Sequence, residues 1–384
     1  MKTFAILGAQ PSLSREEIRV VLGVDITPDD EVALFETKES LDDLQGKLGG
    51  VSKMGSIVAS VTAQTLEATL KQELEQVPDQ GKLRFGISVY SMGGQVNDIR
   101  HAVRKIGISV KKAIKETGRS IRYVESKEPT LSSVVVSKNN LQRHGTEFVL
   151  LVRPNEILLG RTQTVQDFEN WGHRDYHRPA RDAKRGMLPP KLARMMVNLS
   201  GTDTSDVTVL DPFCGSGTVL MESAMLGSGQ LVGSDILEQA VEDTRENLAW
   251  LKADGTTLPN THLVHSSAAE LSKHLDAESI GLLVTEPFLG KPRSGKETKE
   301  VIKKQISELE TLYSESFGAL KSLLKPGARI VIANPVHIID GERFPVPTKD
   351  ILEGLGYTSE PFSEPLTYER KGQFVAREIL RFSA

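Results

Sequence analysis

Short runs of apolar residues in this chain are separated by longer stretches in which apolar residues return every three or four positions. The runs read as strands and the stretches as helices. Over the first part, the pattern predicts strands at 3–7, 32–36, 56–61 and 83–90. Helices are predicted from a Ser12 or Ser14 cap to Leu22, from Ser40, and over 65–75. A longer helix is expected over 96–117, where Ile99, Val103, Ile106, Val110 and Ile114 share one face. Strands then follow at 121–124, 133–136, 147–152 and 156–161.

The second part has a more regular rhythm. A helix over 190–199 leads to a strand at 207–210, a glycine turn at 211–218, an apolar helix and a strand closing on Asp235. After that come a helix over 238–251, strands at 262–265 and 281–285, and a long helix over 298–324. Lys325-Pro326-Gly327 reads as a turn into a strand at 329–333, and strands at 358–361 and 373–381 close the chain. Alternating strands and helices predict an α/β fold, a doubly wound Rossmann-like sheet with antiparallel closing strands. The upstream region reads as α+β. The expected division is an N-terminal domain over 1–75, a second α+β domain over 76–165, a linker over 166–189, and the α/β domain over 190–384.

Composition leaves this picture intact. At 384 residues, with 39% hydrophobic and 26% charged residues, the chain has room for several packed domains. No apolar run approaches the roughly 18–20 residues that span a bilayer, and no secretory signal precedes the first strand. The single cysteine, Cys214, excludes disulfides and zinc knuckles and reads as a small residue of the glycine turn. The expected location is the cytoplasm, with no membrane partner.

Charge does change the picture. Residues 82–145 carry 13 basic and 4 acidic side chains, while residues 1–81 carry 7 and 14. Residues 171–194 carry 7 basic and 2 acidic. A basic middle between acidic flanks suggests a polyanion partner on one face. Arg100, Arg104, Lys105, Lys111 and Lys112 fall on the polar faces of the 96–117 helix. In the linker, Arg174 and Arg178 alternate with His173 and His177, and phosphate contact competes with packing inside the linker as their role. These histidines lack the spacing and acidic company of a metal site. Asp175 and Asp182 read as partners of the neighbouring arginines.

The chemistry concentrates in 207–235. Gly215 and Gly217 let the backbone turn sharply and approach a ligand without a Cβ in the way. The helix that follows points unpaired N–H groups at a carboxylate. Asp235, ending a strand, is placed to accept two ribose hydroxyls, and Asp211 to meet an ammonium group. A dinucleotide fingerprint would want a third small residue where Leu220 stands, and no P-loop run occurs. The ligand that suits both acids is S-adenosylmethionine.

A second loop, Thr285-Glu286-Pro287-Phe288, ends the strand expected beside the first. Acceptors there could hold the N–H groups of an exocyclic amine and aim its lone pair, while Phe288 stacks on an extruded base. A plain strand-end turn with a buried phenylalanine is the alternative.

Three runs, 174–199, 210–224 (LDPFCGSGTVLMESA) and 285–290 (TEPFLG), resemble the THUMP-domain tRNA guanosine N2-methyltransferases, the type acting on position ten. The tail 368–382 resembles their closing strands. The resemblance implies a THUMP-like domain upstream that binds tRNA and a Rossmann-like domain that binds S-adenosylmethionine. By position it implies cofactor contacts from Asp211, Pro212, Phe213, Gly215, Gly217, Thr218, Asp235 and Ile236. Ser267 stands where such enzymes often place an acid against adenine. The family's tetrapeptide is usually Asp/Asn-Pro-Pro-Tyr/Phe, so Thr285 replaces an acid or amide with a hydroxyl. Glu286 offers a backbone carbonyl and, if the turn aims it inward, a replacement carboxylate. The implied activity is methylation of a guanine N2 amine in tRNA, the need for a helper subunit being left open. The rival readings are a DNA adenine or cytosine amino-methyltransferase, and a tRNA-binding protein whose catalytic loop has decayed.

Overall fold

The computed structural model describes residues 1–27, 29–78, 81–181 and 187–384. Asp182 therefore lies outside the described residues. The chain divides into two compact units. One is Met1–Arg15 with Leu22–Phe168, and the other is Glu16–Val21 with Glu169–Ala384.

The elements run in the order β1 (Lys2–Leu7), α1 (Pro11–Leu22), β2 (Val32–Glu36), α2 (Leu41–Lys47), β3 (Val51–Val61) and α3 (Leu66–Glu75). They continue with β4 (Leu83–Ser91), α4 (Asn97–Glu116), β5 (Ile121–Val124), α5 (Ser133–Lys138), β6 (Gly145–Val152) and β7 (Ile157–Val165). Among the described residues the seven strands form one sheet in the order β2-β1-β3-β7-β6-β4-β5. Strands from both sides of position 75 share it. Helix α4 buries Val110 and Ile114 against the sheet and leaves Arg104, Lys105, Lys111 and Lys112 exposed.

One expected strand is a helix. The valine run at 133–136 forms α5, because Ser132 caps it by accepting from the Val135 N–H at 3.3 Å. Val136 is buried while Val134 is exposed, so packing on one side overrides the β preference of valine.

This sheet holds a buried ion pair. Lys53 on β3 and Glu147 on β6 are 2% and 0% exposed, with Nζ 2.6 Å from Oε1. Ser88 Oγ and Thr162 Oγ1 also donate to the Glu147 carboxylate, each at 2.6 Å, and Lys53 donates to the Leu131 carbonyl at 2.8 Å. Full hydrogen bonding is what makes such a pair tolerable away from water.

The second unit carries α6 (Phe168–Gly172, from its second residue on), a π-helical turn at His173–His177, α7 (Pro190–Leu199), β8 (Thr208–Asp211) and α8 (Thr218–Met225). Next come β9 (Gln230–Asp235), α9 (Glu238–Ala253), β10 (Asn260–His265), β11 (Ile280–Thr285), α10 (Lys299–Leu320) and β12 (Leu324–Ile339). The chain ends with β13 (Glu342–Pro345), α11 (Thr348–Gly354), β14 (Thr358–Ser359), β15 (Leu366–Tyr368) and β16 (Val375–Ser383). The sheet order is β10-β9-β8-β11-β12-β16-β14, with β13 on β12 and β15 on β16. Strands β8 to β12 are parallel, and β16 runs antiparallel to β12. This is the expected Rossmann-like sheet with antiparallel closing strands.

Its core is apolar on the strands and on the inner face of α10, where Ile302, Leu309, Tyr313 and Phe317 are buried. β12 is much longer than its expected segment and takes in Lys325-Pro326-Gly327, where the Gly327 N–H bonds the Ala384 carbonyl. At its far end Asp340 and Gly341 both have positive φ, 51° and 80°, making a two-residue hairpin into β13. Among the described residues no helix is long and apolar enough to cross a membrane.

Glu147→Gln should strip Lys53 of its counter-charge in the first unit and cost about 3–5 kcal/mol of stability. A double substitution, Lys53→Met with Glu147→Leu, should recover most of that loss. Urea unfolding of the single and double variants checks both values, and a single-variant cost near zero would mean water reaches the pair.

Candidate active site

The order of the second sheet reverses between β8 and β11, and ligands of doubly wound sheets bind beyond the strand ends at such a point. Asp211 ends β8, Asp235 ends β9 and Thr285 ends β11. The fold therefore brings the two expected loops to one place.

The glycine turn is tight. Gly215 and Gly217 have φ of +53° and +80°, and a Cβ on Gly217 would lie 2.9 Å from the Thr244 side chain. Thr244 Oγ1 donates to the Gly215 carbonyl at 2.9 Å, and the Cys214 N–H bonds the Ser234 carbonyl at 2.8 Å. Cys214 is buried, and burial pushes its thiol up, away from nucleophilic chemistry. Asp235 accepts from the Gly215 N–H at 3.1 Å and from the Leu237 N–H at 2.9 Å. It thus braces the turn as well as facing the strand ends. Ser234 Oγ donates to the Pro212 carbonyl at 3.3 Å. Ile236 is exposed, and Ser267 is half-buried at the head of a short 3-10 turn with no cap bond from its side chain.

Asp211 is the most constrained group of the site. It is 2% exposed, and its Oδ1 accepts from Thr285 Oγ1 at 2.7 Å and from the Phe213 N–H at 3.2 Å. Burial raises its carboxyl from the ordinary 3.8 to about 7, against the lowering effect of these two donors. Nearby Asp235 and Glu286 push it the same way as burial. Thr285 was expected to accept from a substrate amine. Instead it is fully buried and its hydroxyl donates to Asp211.

Glu286 does turn inward. It lines the same cleft as Asp211, and its Oε1 accepts from Arg377 Nε on β16 at 2.6 Å. Pro287 is buried, and Phe288 stands 52% exposed with its carbonyl held by the Tyr313 hydroxyl at 2.9 Å. An exposed aromatic ring two residues after Glu286 is free to stack.

The linker arginines lie elsewhere than expected. Arg174 and Arg178 are 4% and 2% exposed, so neither presents its charge to a phosphate backbone. Arg174 Nε donates to Glu222 Oε1 at 2.7 Å, Arg194 Nε donates to Oε2 at 2.8 Å, and the Trp171 ring lies 4.2 Å from the Arg174 guanidinium. Arg178 Nη1 donates to Thr218 Oγ1 at 2.7 Å. Asn247 of α9 was missed by the sequence reading. Its amide bonds the N–H and carbonyl of Ala180, at 3.0 and 2.9 Å, and the Ser216 carbonyl at 2.8 Å. One signal for it is a polar amide on a helix face shared with the buried Val241, Thr244, Leu248 and Leu251.

The resulting cleft is lined by Met187, Asp211, Phe213, Gly215, Thr218 and Glu286 among others. Its cavity volume is about 90 Å³, below the roughly 300–1,000 Å³ of closed small-ligand clefts, so a ligand seated there extends beyond it. Both internal bonds of Asp211 fall on Oδ1, which leaves Oδ2 for a cationic group, and the turn carries no Cβ in its way. These residues fit a ligand with an ammonium group, a carboxylate and a ribose. Of the helix α4 set, Arg100 is half-buried and Arg104 pairs with Glu125 at 3.0 Å.

Residues 178–338 match the RMKL-like methyltransferase domain family, and residues 92–246 match a DNA methylase family. The tRNA (guanine(10)-N2)-dimethyltransferase of Methanothermobacter thermautotrophicus is 37% identical over 56% of this chain and 59% of its own length. The match thus spans less than two thirds of that relative. The probable tRNA (guanine(10)-N2)-dimethyltransferase of Methanothermococcus thermolithotrophicus is 34% identical over 31% of this chain and 72% of its own length. In fold, the chain resembles TrmN from Thermus thermophilus, with a TM-score of 0.59, 17% identity, and 100% and 99% of the two chains covered.

The Thr285–Asp211 bond makes a pH-dependent prediction. Asp211 binds its proton more tightly when folded than when unfolded, so its protonation supports the fold fully below about pH 4 and ceases to do so above about pH 7. Thr285→Val removes a donor to the ionised form. The expected cost is about 1.5–3 kcal/mol at pH 8.5 and less at pH 5. Urea midpoints at the two pH values measure it; an equal cost at both would show that the hydroxyl does not serve the carboxylate.

Proposed function

We infer that this chain, which belongs to the S-adenosylmethionine-dependent tRNA (guanine(10)-N2)-dimethyltransferase family, methylates the N2 amine of a guanosine in tRNA. The observation that carries this reading is the meeting of the glycine turn and the Glu286–Phe288 loop at one strand reversal.

In this reading Asp235 takes the ribose hydroxyls, and Asp211 Oδ2 takes the methionine ammonium. Pro212, Phe213, Gly215, Gly217 and Thr218 form the wall of the cofactor site, with Ile236 and Ser267 towards the adenine. The chemistry that S-adenosylmethionine supplies when bound is an electrophilic methyl group on a sulfonium. Phe288 stacks on the extruded guanine. Glu286 and the backbone carbonyls of the 285–288 loop accept from the guanine amine and turn its lone pair towards the cleft. No strong base is needed beforehand, because the methylated amine becomes acidic and releases its proton to Glu286 or water.

The first unit serves as the RNA grip. Its N-terminal α+β part over 1–75 and its THUMP-like part over 76–165 share one sheet, and the linker over 166–189 and the catalytic domain over 190–384 follow. Exposed Lys105, Lys111 and Lys112 on α4, with Arg104 and the half-buried Arg100, suit a phosphate backbone, which makes tRNA affinity fall steeply with salt. A single buried cysteine fits the cytoplasm.

The test is to incubate the chain with labelled cofactor and unmodified tRNA, digest the tRNA and identify the labelled nucleoside. N2-methylguanosine or its dimethyl form is expected; label in DNA adenine or cytosine, or no transfer despite binding of both ligands, overturns the reading. Asp235→Ala should weaken cofactor binding by at least about a hundredfold in calorimetry, the worth of charge-assisted bonds to both hydroxyls. Phe288→Ala should keep cofactor affinity while transfer falls about tenfold or more, a stacked base being worth roughly 1–3 kcal/mol.

A further inference from the structure

Arg377 has no place in the reading above, although it makes the closest charged contact of the catalytic loop. It lies on β16 in register with Pro335 of β12, and it is 8% exposed. Its Nε is 2.6 Å from Glu286 Oε1, and the Glu286 side chain is itself only 15% exposed. Among the described residues, the charged and titratable groups around Glu286 include Asp211 on β8, Tyr313 on α10 and Arg377 on β16, and Asp243 on α9 lines the same cleft. Glu286 raises the carboxyl of Asp211, and its charge adds to the burial that raises the Tyr313 hydroxyl. Three acids thus line one cleft, and the charge of Glu286 acts against that of Asp211. Arg377 is the cation that offsets this repulsion.

The hydroxyl of Thr285 is committed to Asp211 in a fully buried bond. The acid of this loop that reaches the cleft is therefore Glu286, one residue later in the chain. A carboxylate so enclosed keeps one orientation when a directed, charged donor holds it. A guanidinium suits this task because it remains charged and holds a carboxylate through directed N–H bonds.

We propose that Arg377 is a positioning residue for methyl transfer, which holds the Glu286 carboxylate aimed at the substrate amine from the closing strand of the sheet. This rests on the reading of Glu286 as the acceptor for a guanine amine. It makes the reaction depend on a residue about ninety positions downstream of the catalytic loop. Removing the cation should let the carboxylate leave that aim, so kcat should fall while KM changes little.

The test compares kcat and KM for tRNA methylation in the full chain and in Arg377→Met, Arg377→Lys, Glu286→Gln and the double variant R377M/E286Q. In Arg377→Met kcat should fall about tenfold, with KM for tRNA and cofactor within about twofold of the parent. Arg377→Lys should restore most of the lost kcat. The double variant should match Glu286→Gln within about twofold, since Arg377 acts only through the carboxylate. A loss carried by KM, no rescue by lysine, or multiplicative losses in the double variant would each overturn the proposal.

A second measurement keeps it separate from the fate of the functional reading. In the chain without tRNA or cofactor, at one fixed pH, the 13C resonance of the Glu286 carboxylate should move in Arg377→Met and return towards the parent position in Arg377→Lys. If the parent transfers no methyl group to tRNA guanine, the functional reading falls, and with it the role of Arg377 in transfer. An unmoved carboxylate resonance overturns the control of Glu286 by Arg377 even if tRNA is methylated.

Discussion

The hydrogen bond from Thr285 to Asp211 joins the ends of two adjacent parallel strands at the point where the sheet changes direction. Everything in the cleft depends on how this buried carboxylate is satisfied. Asp211 takes a hydroxyl from one side and a backbone N–H from the other, both on a single oxygen. An acid at 285 would instead set two carboxyl groups in contact with no water between them, and one would have to keep its proton. The threonine is therefore more than a weakened acceptor. It is a neutral donor that makes a buried acid at 211 affordable.

The same demand for pairing explains the linker. A run dense in arginine reads from sequence as a phosphate surface or as packing within the linker, and Arg174 takes the second course, turning inward to share Glu222 with Arg194. Glu222 lies on α8, the helix that springs from the glycine turn, and Arg178 bonds Thr218 in that helix's first turn. Asn247 fixes Ala180 to the carbonyl of Ser216 in the turn itself. Charges that could have served RNA instead hold the chain before α7 against the cofactor loop. Met187 and Leu188 consequently become part of the cleft wall.

Legibility follows the range of the interaction. The order of strands and helices, the glycine turn and the strand-end acids are written in local period and local spacing, and they could be read directly. The helix at Ser133–Lys138 was missed because valine favours strands, whereas one serine cap and a one-sided burial decided the matter. The hairpin from β12 to β13 carried a signal that went unread, Asp340-Gly341 between apolar residues. Arg377, Asn247 and the inward turn of Arg174 had no local signal strong enough to place them. Each is defined by a partner 48 to 91 positions away or brought near by the sheet.

The placement of negative charge in the cleft follows from these pairings. Burial raises the Asp211 carboxyl to about 7, so a cation that meets it increases its charge near neutral pH. Glu286 stands beside it with its own counter-charge in Arg377. The two acids can therefore serve different ligands, one meeting a bound cation and the other held by the closing strand. A carboxylate at 285 could not be separated from Asp211 in this way, because the two groups would share one proton and titrate together. An acid one residue later has its own partner in Arg377, although its charge still acts on Asp211, and the cost is dependence on the closing strand.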